Sequence, residues 1–179
     1  MKNLRSEVIK YSKMLNTKKL SALRSGNISV RYKEGFLITP SGAKYSSLKE
    51  KDIVFVSLQG EFDKKKGIPS SEWRFHQDIY KNKVESKAIV HAHSSCATAI
   101  STHGKKIPAF HYMIAMAGGN DIKCAKYATY GTRELSKNIL KALKRRNACL
   151  IGNHGQIAFS ENLSKAFELA EEVENLSNQ

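Results

Sequence analysis

At 179 residues and 20.0 kDa, the chain has the size of one domain, on a prior of roughly one per 150 residues. Hydrophobic residues make up 41% of it, enough for a buried core and too many for a disordered chain. Thirty Lys and Arg against 16 Asp and Glu leave a net charge of +14, which would attract small anions such as phosphate esters. Twenty-three of the basic residues are Lys, scattered along the chain. The tight clusters Lys64-Lys65-Lys66 and Lys144-Arg145-Arg146 carry no interleaved aromatics and no groove-reading motif, so a solvated surface is expected and no nucleic-acid partner. Cys96, Cys124 and Cys149 are far apart with no Cys-x-x-Cys pattern, which points to reduced thiols and a cytoplasmic protein. The charged N-terminus has no apolar signal core, and no run reaches the ~18 apolar residues of a membrane span, so no membrane association is expected.

Apolar residues Leu4, Val8, Ile9, Tyr11 and Leu15 recur at helical spacing over 4–16. Ile28–Tyr32 alternates like a strand, Lys33-Glu34-Gly35 turns, and Phe36–Thr39 reads as the partner strand of a hairpin. Ile53–Val56 is a third strand. Pro69-Ser70-Ser71 opens a helix running to about Tyr80, and Ala88–His93 is a short apolar strand. Residues 94–102 read as helix and 103–131 as irregular. Thr132 is placed to cap a helix with Leu135, Ile139, Leu140 and Leu143 on its apolar face. Ala148–Gly152 and Gln156–Phe159 are strands flanking Asn153-His154-Gly155, and a last helix presents Leu163, Ala166, Phe167, Ala170, Val173 and Leu176 on one face. Helices alternating with strands and hairpins predict an α/β or α+β layered domain around one sheet.

His91-Ala92-His93 is the most informative triplet. On a strand, i and i+2 share a face, so two imidazoles stand side by side while Ala92 points into the packing. Paired neutral imidazoles suit zinc, with N ligands at about 2.0–2.1 Å, although two ordinary polar histidines fit the same pattern. His154 lies in a Gly-flanked turn and reads equally as a surface residue or as a third ligand; three protein ligands and one open position is the catalytic zinc arrangement. Glu72, at the start of the helix after Ser70-Ser71, either complements the helix dipole or acts as a metal ligand or base. Ser70 and Ser71 with free helix N–H groups make a phosphate-type anion site, and the turns Gly26-Asn27 and Ser41-Gly42 add further donors. His76, His103 and His111 have no comparable partners and are read as solvent or packing residues.

Taken together, the segments Gly26–Tyr32, Leu37–Gly42, Pro69–His76, Val90–His93, His111–Ala115, Ala117–Asn120, Tyr127–Leu135 and Asn153–Gly155 resemble the class II aldolase/adducin family over nearly the whole chain and in the family's order. The resemblance implies a three-layer α/β/α sandwich around a largely antiparallel central sheet, as a single domain over 1–179 that stops short of the family's C-terminal tail. It implies a homotetramer with active sites at subunit interfaces. It makes His91, His93, His154 and Glu72 the ligands of one Zn2+ per chain, with Glu72 the acid/base once substrate displaces it. Asn27, Ser41, Gly42, Ser70 and Ser71 would hold the substrate phosphate, and Tyr112 would reach a neighbouring subunit's site to protonate the aldehyde oxygen. The implied reaction is reversible cleavage of a ketose 1-phosphate, of the L-fuculose 1-phosphate type, to dihydroxyacetone phosphate and a small aldehyde such as L-lactaldehyde. Within the same fold, a pentulose-phosphate 4-epimerase and a methylthioribulose-1-phosphate dehydratase are alternatives, as is a non-catalytic adducin-like interaction domain. The epimerases usually carry Asp where this chain has Glu72, and an interaction domain would be expected to lose the histidines that are present here.

Overall fold

The structure is a computed structural model and describes residues 3–179; Met1 and Lys2, the first residues of the charged N-terminus, lie outside them. Among the described residues, seven strands form one sheet: β1 (Asn27–Tyr32), β2 (Gly35–Ile38), β3 (Val54–Ser57), β4 (Ala88–Ala92), β5 (Cys124–Ala125), β6 (Ala148–Ile151) and β7 (Gly155–Ser160). Their order across the sheet is β3-β2-β1-β4-β7-β6-β5. Every pairing is antiparallel except β5 with β6, so the sheet is mixed, with its one parallel pair at an edge. Five α-helices accompany it: α1 (Leu4–Thr17), α2 (Trp73–Asn82), α3 (Ser95–Ser101), α4 (Arg133–Ala142) and α5 (Leu163–Asn178).

Strand alternation sorts the apolar side chains into two buried clusters. Ile28, Val30, Leu37, Ala88, Val90, Leu150 and Ala158 belong to a cluster with Val8 and Leu15 of α1 and with Ala166, Phe167, Ala170 and Val173 of α5. Their sequence neighbours Phe36, Ile38, Ile89, Cys149, Ile151, Ile157 and Phe159 belong to another, with Phe75 and Ile79 of α2 and Leu135 and Ile139 of α4. A period of two in the strands and of 3.6 in the helices is what such sorting requires. Ala92 falls in the first cluster and so points away from the face of Ile89, as its place between two histidines predicts.

The helix ends follow local chemistry. Asn3, Thr132 and Asn162 accept hydrogen bonds from backbone N–H groups in the first turns of α1, α4 and α5. All six residues predicted for the apolar face of α5 are buried. The helix predicted to open at Pro69 starts later, at Trp73.

The stretch 103–131 is more ordered than expected. A 3-10 helix, Tyr112–Ala117, is capped by His111, whose Nδ1 accepts from Met113 N–H, and it ends at Gly118 in the left-handed region, φ +87°. The missed strand β5 is two residues long, too short to show a period. Its approach is held by the backbone bridge Ile107–Ile122 and by Asp121, which pairs with Arg146 at 2.6 Å and Lys106 at 3.0 Å.

Phe167 is buried and joins α5 to α1 through Tyr11, ring centroids 5.4 Å apart. Phe167→Ala is expected to lower unfolding free energy by about 3–5 kcal/mol in urea titration.

Candidate metal and phosphate site

β4 ends at Ala92, so His91 is its penultimate residue and His93 follows just past its end on the same side. β4 lies between β1 and β7, in registers that set Asn27 opposite His91 and Gln156 opposite Ala92. His154 sits in the tight β6–β7 turn, where its N–H reaches Ile151 O and Asn153 adopts φ +53°. Glu72 occupies the residue before α2. The loop before β1 must pass close to β4. A Cβ on Gly26, at φ +77°, would lie 2.7 Å from His91 O and 2.6 Å from Ser21 Oγ, so only glycine fits there.

The turn, the strand end and the helix start bring His91, His93, His154 and Glu72 together, with one ligand atom from each lying within 4.8 Å of all the others. His91 Nε2 is 3.0 Å from His93 Nε2 and 3.1 Å from Glu72 Oε2, and His154 Nε2 is 3.2 Å from Glu72 Oε1. Glu72 lies at the start of α2, but its side chain caps no helix N–H and turns to the imidazoles.

The donor set fits a divalent cation. His91 Nδ1 lies 2.8 Å from Gln156 O and can only donate to that carbonyl, so in the neutral ring Nε2 carries a lone pair aimed at the cluster. Glu72 Oε1 is buried without a hydrogen-bond partner. Lone pairs from three rings and a carboxylate, converging in a buried place, call for a positive charge at their centre.

Burial governs the titration of these groups. It pushes His93 down to about 3 and His154 to about 4, reinforced by the neighbouring imidazoles. Burial by itself would raise the Glu72 carboxyl, but His91, His154 and His93 outweigh it and hold it at about 2. A carboxylate ionised beside neutral imidazoles is the protonation state a metal requires.

Glu72, His93 and His154 line a cleft of about 410 Å³, while His91 is wholly buried. All five predicted phosphate residues, Asn27, Ser41, Gly42, Ser70 and Ser71, line it as well. Ser70 is buried and its Oγ accepts from Glu72 N–H, whereas Ser41, Gly42 and Ser71 are exposed. Asn27 is buried, and its side chain is engaged with Glu72 and His76. Tyr112 is not in the cleft; it is 81% exposed on the 3-10 helix, beside exposed Phe110 and Met116.

Sequence reasoning missed Arg24, Tyr127, Tyr130 and Asn153, which also line the cleft. Arg24 donates to Gly42 O at 3.1 Å and so ties the two turns together. Nothing in its sequence neighbourhood distinguishes it from the other loop cations; only the approach of the two turns gives it a role.

Residues 6–179 match the class II aldolase and adducin N-terminal domain, and the chain belongs to that family. L-fuculose phosphate aldolase of Escherichia coli (strain K12) is 52% identical over 153 residues, covering 86% of this chain and 71% of that protein. A 5-methylthioribulose-1-phosphate/5-deoxyribulose-1-phosphate aldolase of Rhodospirillum rubrum is 47% identical over 176 residues, covering 98% of this chain and 79% of its own. Among solved structures, an L-fuculose 1-phosphate aldolase superposes with a TM-score of 0.95 at 41% identity, over 99% of this chain and 84% of that one.

The depressed histidines make stability depend on pH. Their folded values lie below the ordinary 6.5, so between about 6.5 and about 3–4 the unfolded chain binds more protons and stability falls as pH drops. Metal-free protein is therefore expected to lose about 2 kcal/mol or more of unfolding free energy between pH 7 and pH 5 in urea titration, since a pH unit is worth about 1.4 kcal/mol per group. An unchanged midpoint would show that the rings are not buried neutral.

Proposed function

We propose that the protein is a metal-dependent class II aldehyde-lyase that reversibly cleaves a ketose 1-phosphate, of the L-fuculose 1-phosphate type, to dihydroxyacetone phosphate and a small aldehyde such as L-lactaldehyde. The observation that carries this reading is the group of three imidazoles and one ionised carboxylate at a serine-lined cleft, in a chain 52% identical to an L-fuculose phosphate aldolase. The reading takes residues 1–179 as one domain with its helices and sheet stacked as an α/β/α sandwich. It takes the protein as cytoplasmic; no helix among the described residues is long and apolar enough to cross a membrane.

His91, His93, His154 and Glu72 would hold the cation, and nitrogen ligands with one carboxylate suit Zn2+, one per chain. When bound, such an ion supplies a Lewis acid to the ketose oxygens. The chain's own residues do the rest. Ser70, Ser71, Ser41, Gly42 and Asn27, with the charge of Arg24, hold the phosphate in the cleft. Binding energy gathered there orients the bond to be broken. In cleavage the hydroxyl of the carbon that leaves as aldehyde gives its proton to the Tyr112 phenolate, the carbon–carbon electron pair moves toward the ketone, and protonated Glu72 returns its proton to the remaining carbon to complete dihydroxyacetone phosphate; condensation retraces these steps with Glu72 as the base. In the reverse direction Tyr112, contributed by a neighbouring copy in a homotetramer, protonates the aldehyde oxygen; its exposure on the 3-10 helix leaves it free for that contact.

The 47% identity to a 5-methylthioribulose-1-phosphate/5-deoxyribulose-1-phosphate aldolase favours a second substrate choice within the same reaction. Dihydroxyacetone phosphate release should therefore be measured on L-fuculose 1-phosphate, 5-deoxyribulose 1-phosphate and 5-methylthioribulose 1-phosphate, with and without chelator. Release from at least one, abolished by chelator and restored by Zn2+, is expected; no release from any would refute the reading.

Purified protein should contain about one zinc per chain, and His93→Ala should lose both the metal and cleavage. Glu72→Gln should still bind the ketose phosphate, with turnover lowered about 100-fold or more. Wild-type turnover in that variant would remove the base from the mechanism.

A further inference from the structure

The α2-facing side of β1 is polar where the rest of that layer is apolar. Asn27 and Ser29 alternate along β1, and Glu72, His76 and Tyr80 recur every fourth residue along α2 and its start, so two polar rows face each other. His76 and Ser29 are wholly buried, and Asn27 and Tyr80 each expose 2%. The contacts form one unbroken chain. Tyr80 Oη lies 2.8 Å from Ser29 Oγ, Ser29 Oγ lies 2.7 Å from His76 Nδ1, His76 Nε2 touches Asn27 Oδ1, and Asn27 Nδ2 lies 3.0 Å from Glu72 Oε2.

Hydrogen-bond chemistry gives this chain a single direction. An ionised carboxylate only accepts, so Asn27 must present its NH2 to Glu72 and its oxygen to His76. His76 Nε2 must then carry the proton, which leaves Nδ1 as an acceptor for the Ser29 hydroxyl, and Ser29 Oγ as an acceptor for Tyr80 O–H. The far end is anchored by Arg31, which sits over the Tyr80 ring at 4.8 Å and donates to Tyr80 O at 2.6 Å.

We propose that His76 is a positioning residue for the lyase reaction: through Asn27 it fixes Glu72 Oε2, and so leaves Oε1 as the oxygen free to meet the cation and move the proton. An amide at position 27 that could flip would put its own oxygen against the carboxylate and turn Glu72 away. The His76 N–H forbids that flip. The role rests on Glu72 acting as the acid/base in the proposed reaction, but the hydrogen-bond direction does not, and the test separates them.

Two measurements decide it. Nitrogen–proton correlation spectra of the metal-free protein report the His76 tautomer regardless of activity; a proton on Nε2 is expected, and a proton on Nδ1 overturns the proposal. On the zinc-loaded protein, His76→Phe keeps a ring between Phe36 and Phe75 but lacks the donor. It should lower kcat about 10-fold or more, while KM for the ketose phosphate changes less than about threefold. His76→Gln, which can offer an N–H at the position of Nε2, should recover most of that loss. On an Asn27→Ala background the His76→Phe effect should vanish, because Asn27 is the hydrogen-bonded link between His76 and Glu72. An equal loss on both backgrounds, or no rescue by glutamine, overturns the proposal. A wild-type protein that cleaves no ketose phosphate would refute the cleavage reading and with it the role in catalysis, while the tautomer still decides the hydrogen-bond chain.

Discussion

Glu72 is a buried carboxylate enclosed by three imidazoles, and much of the molecule is arranged so that this unfavourable group is tolerated. An unpaired charge in a protein interior costs several kcal/mol, and burial at this site by itself raises the carboxyl. The neighbouring His91, His154 and His93 reverse that tendency, and Asn27 adds a hydrogen bond to Oε2. Oε1 accepts no hydrogen bond, although His154 Nε2 lies 3.2 Å from it, and a divalent cation between them would satisfy both. An ion there would compensate the carboxylate and the three ring lone pairs together, which couples metal binding to folding.

The scaffold around this group is stiff where the chemistry needs it. His91 is held from behind by Gln156 O, and the Gln156 side chain is in turn bonded to Ser94 and Ala170 O. His93 N–H is bonded to Ser21 Oγ, and the Gly26 turn lies against the His91 carbonyl. These contacts come from α5, the loop before β1 and the loop after β4, so the clustered histidines are braced by parts of the chain far apart in sequence. Rings locked in one tautomer and one orientation lose little freedom on binding an ion, and small displacements are resisted by packed backbone rather than by side chains.

The cleft itself is less confined. Ser41, Gly42, Ser71, Tyr127 and Tyr130 are exposed, and the loops that carry them meet around an open mouth. A tightly packed group of histidines and carboxylate beside exposed loops is the division expected of an enzyme that keeps one reaction and varies its substrate. The two substrate choices argued above differ at the aldehyde end, away from the phosphate residues, where a neighbouring copy would contribute.

Local pattern alone determined a good deal. Alternation and helical spacing located β1, β2, β3, β4, β6 and β7 and the five helices, because each has enough residues for its period to show. The His-x-His spacing on a strand required two rings on one face, and Thr132 before an apolar row required a cap. Tertiary structure alone decided the remainder. β5 has two residues and exists only because β6 lies beside it. Arg24 gains its place from two turns that meet, and His76, which looks like an isolated ring in the sequence, becomes part of the site because the β1–β4 register sets Asn27 opposite His91 and α2 lies over both. Periodicity encodes which face a side chain takes; which partner waits on that face depends on long-range packing, and for a buried polar group the partner is what defines its chemistry.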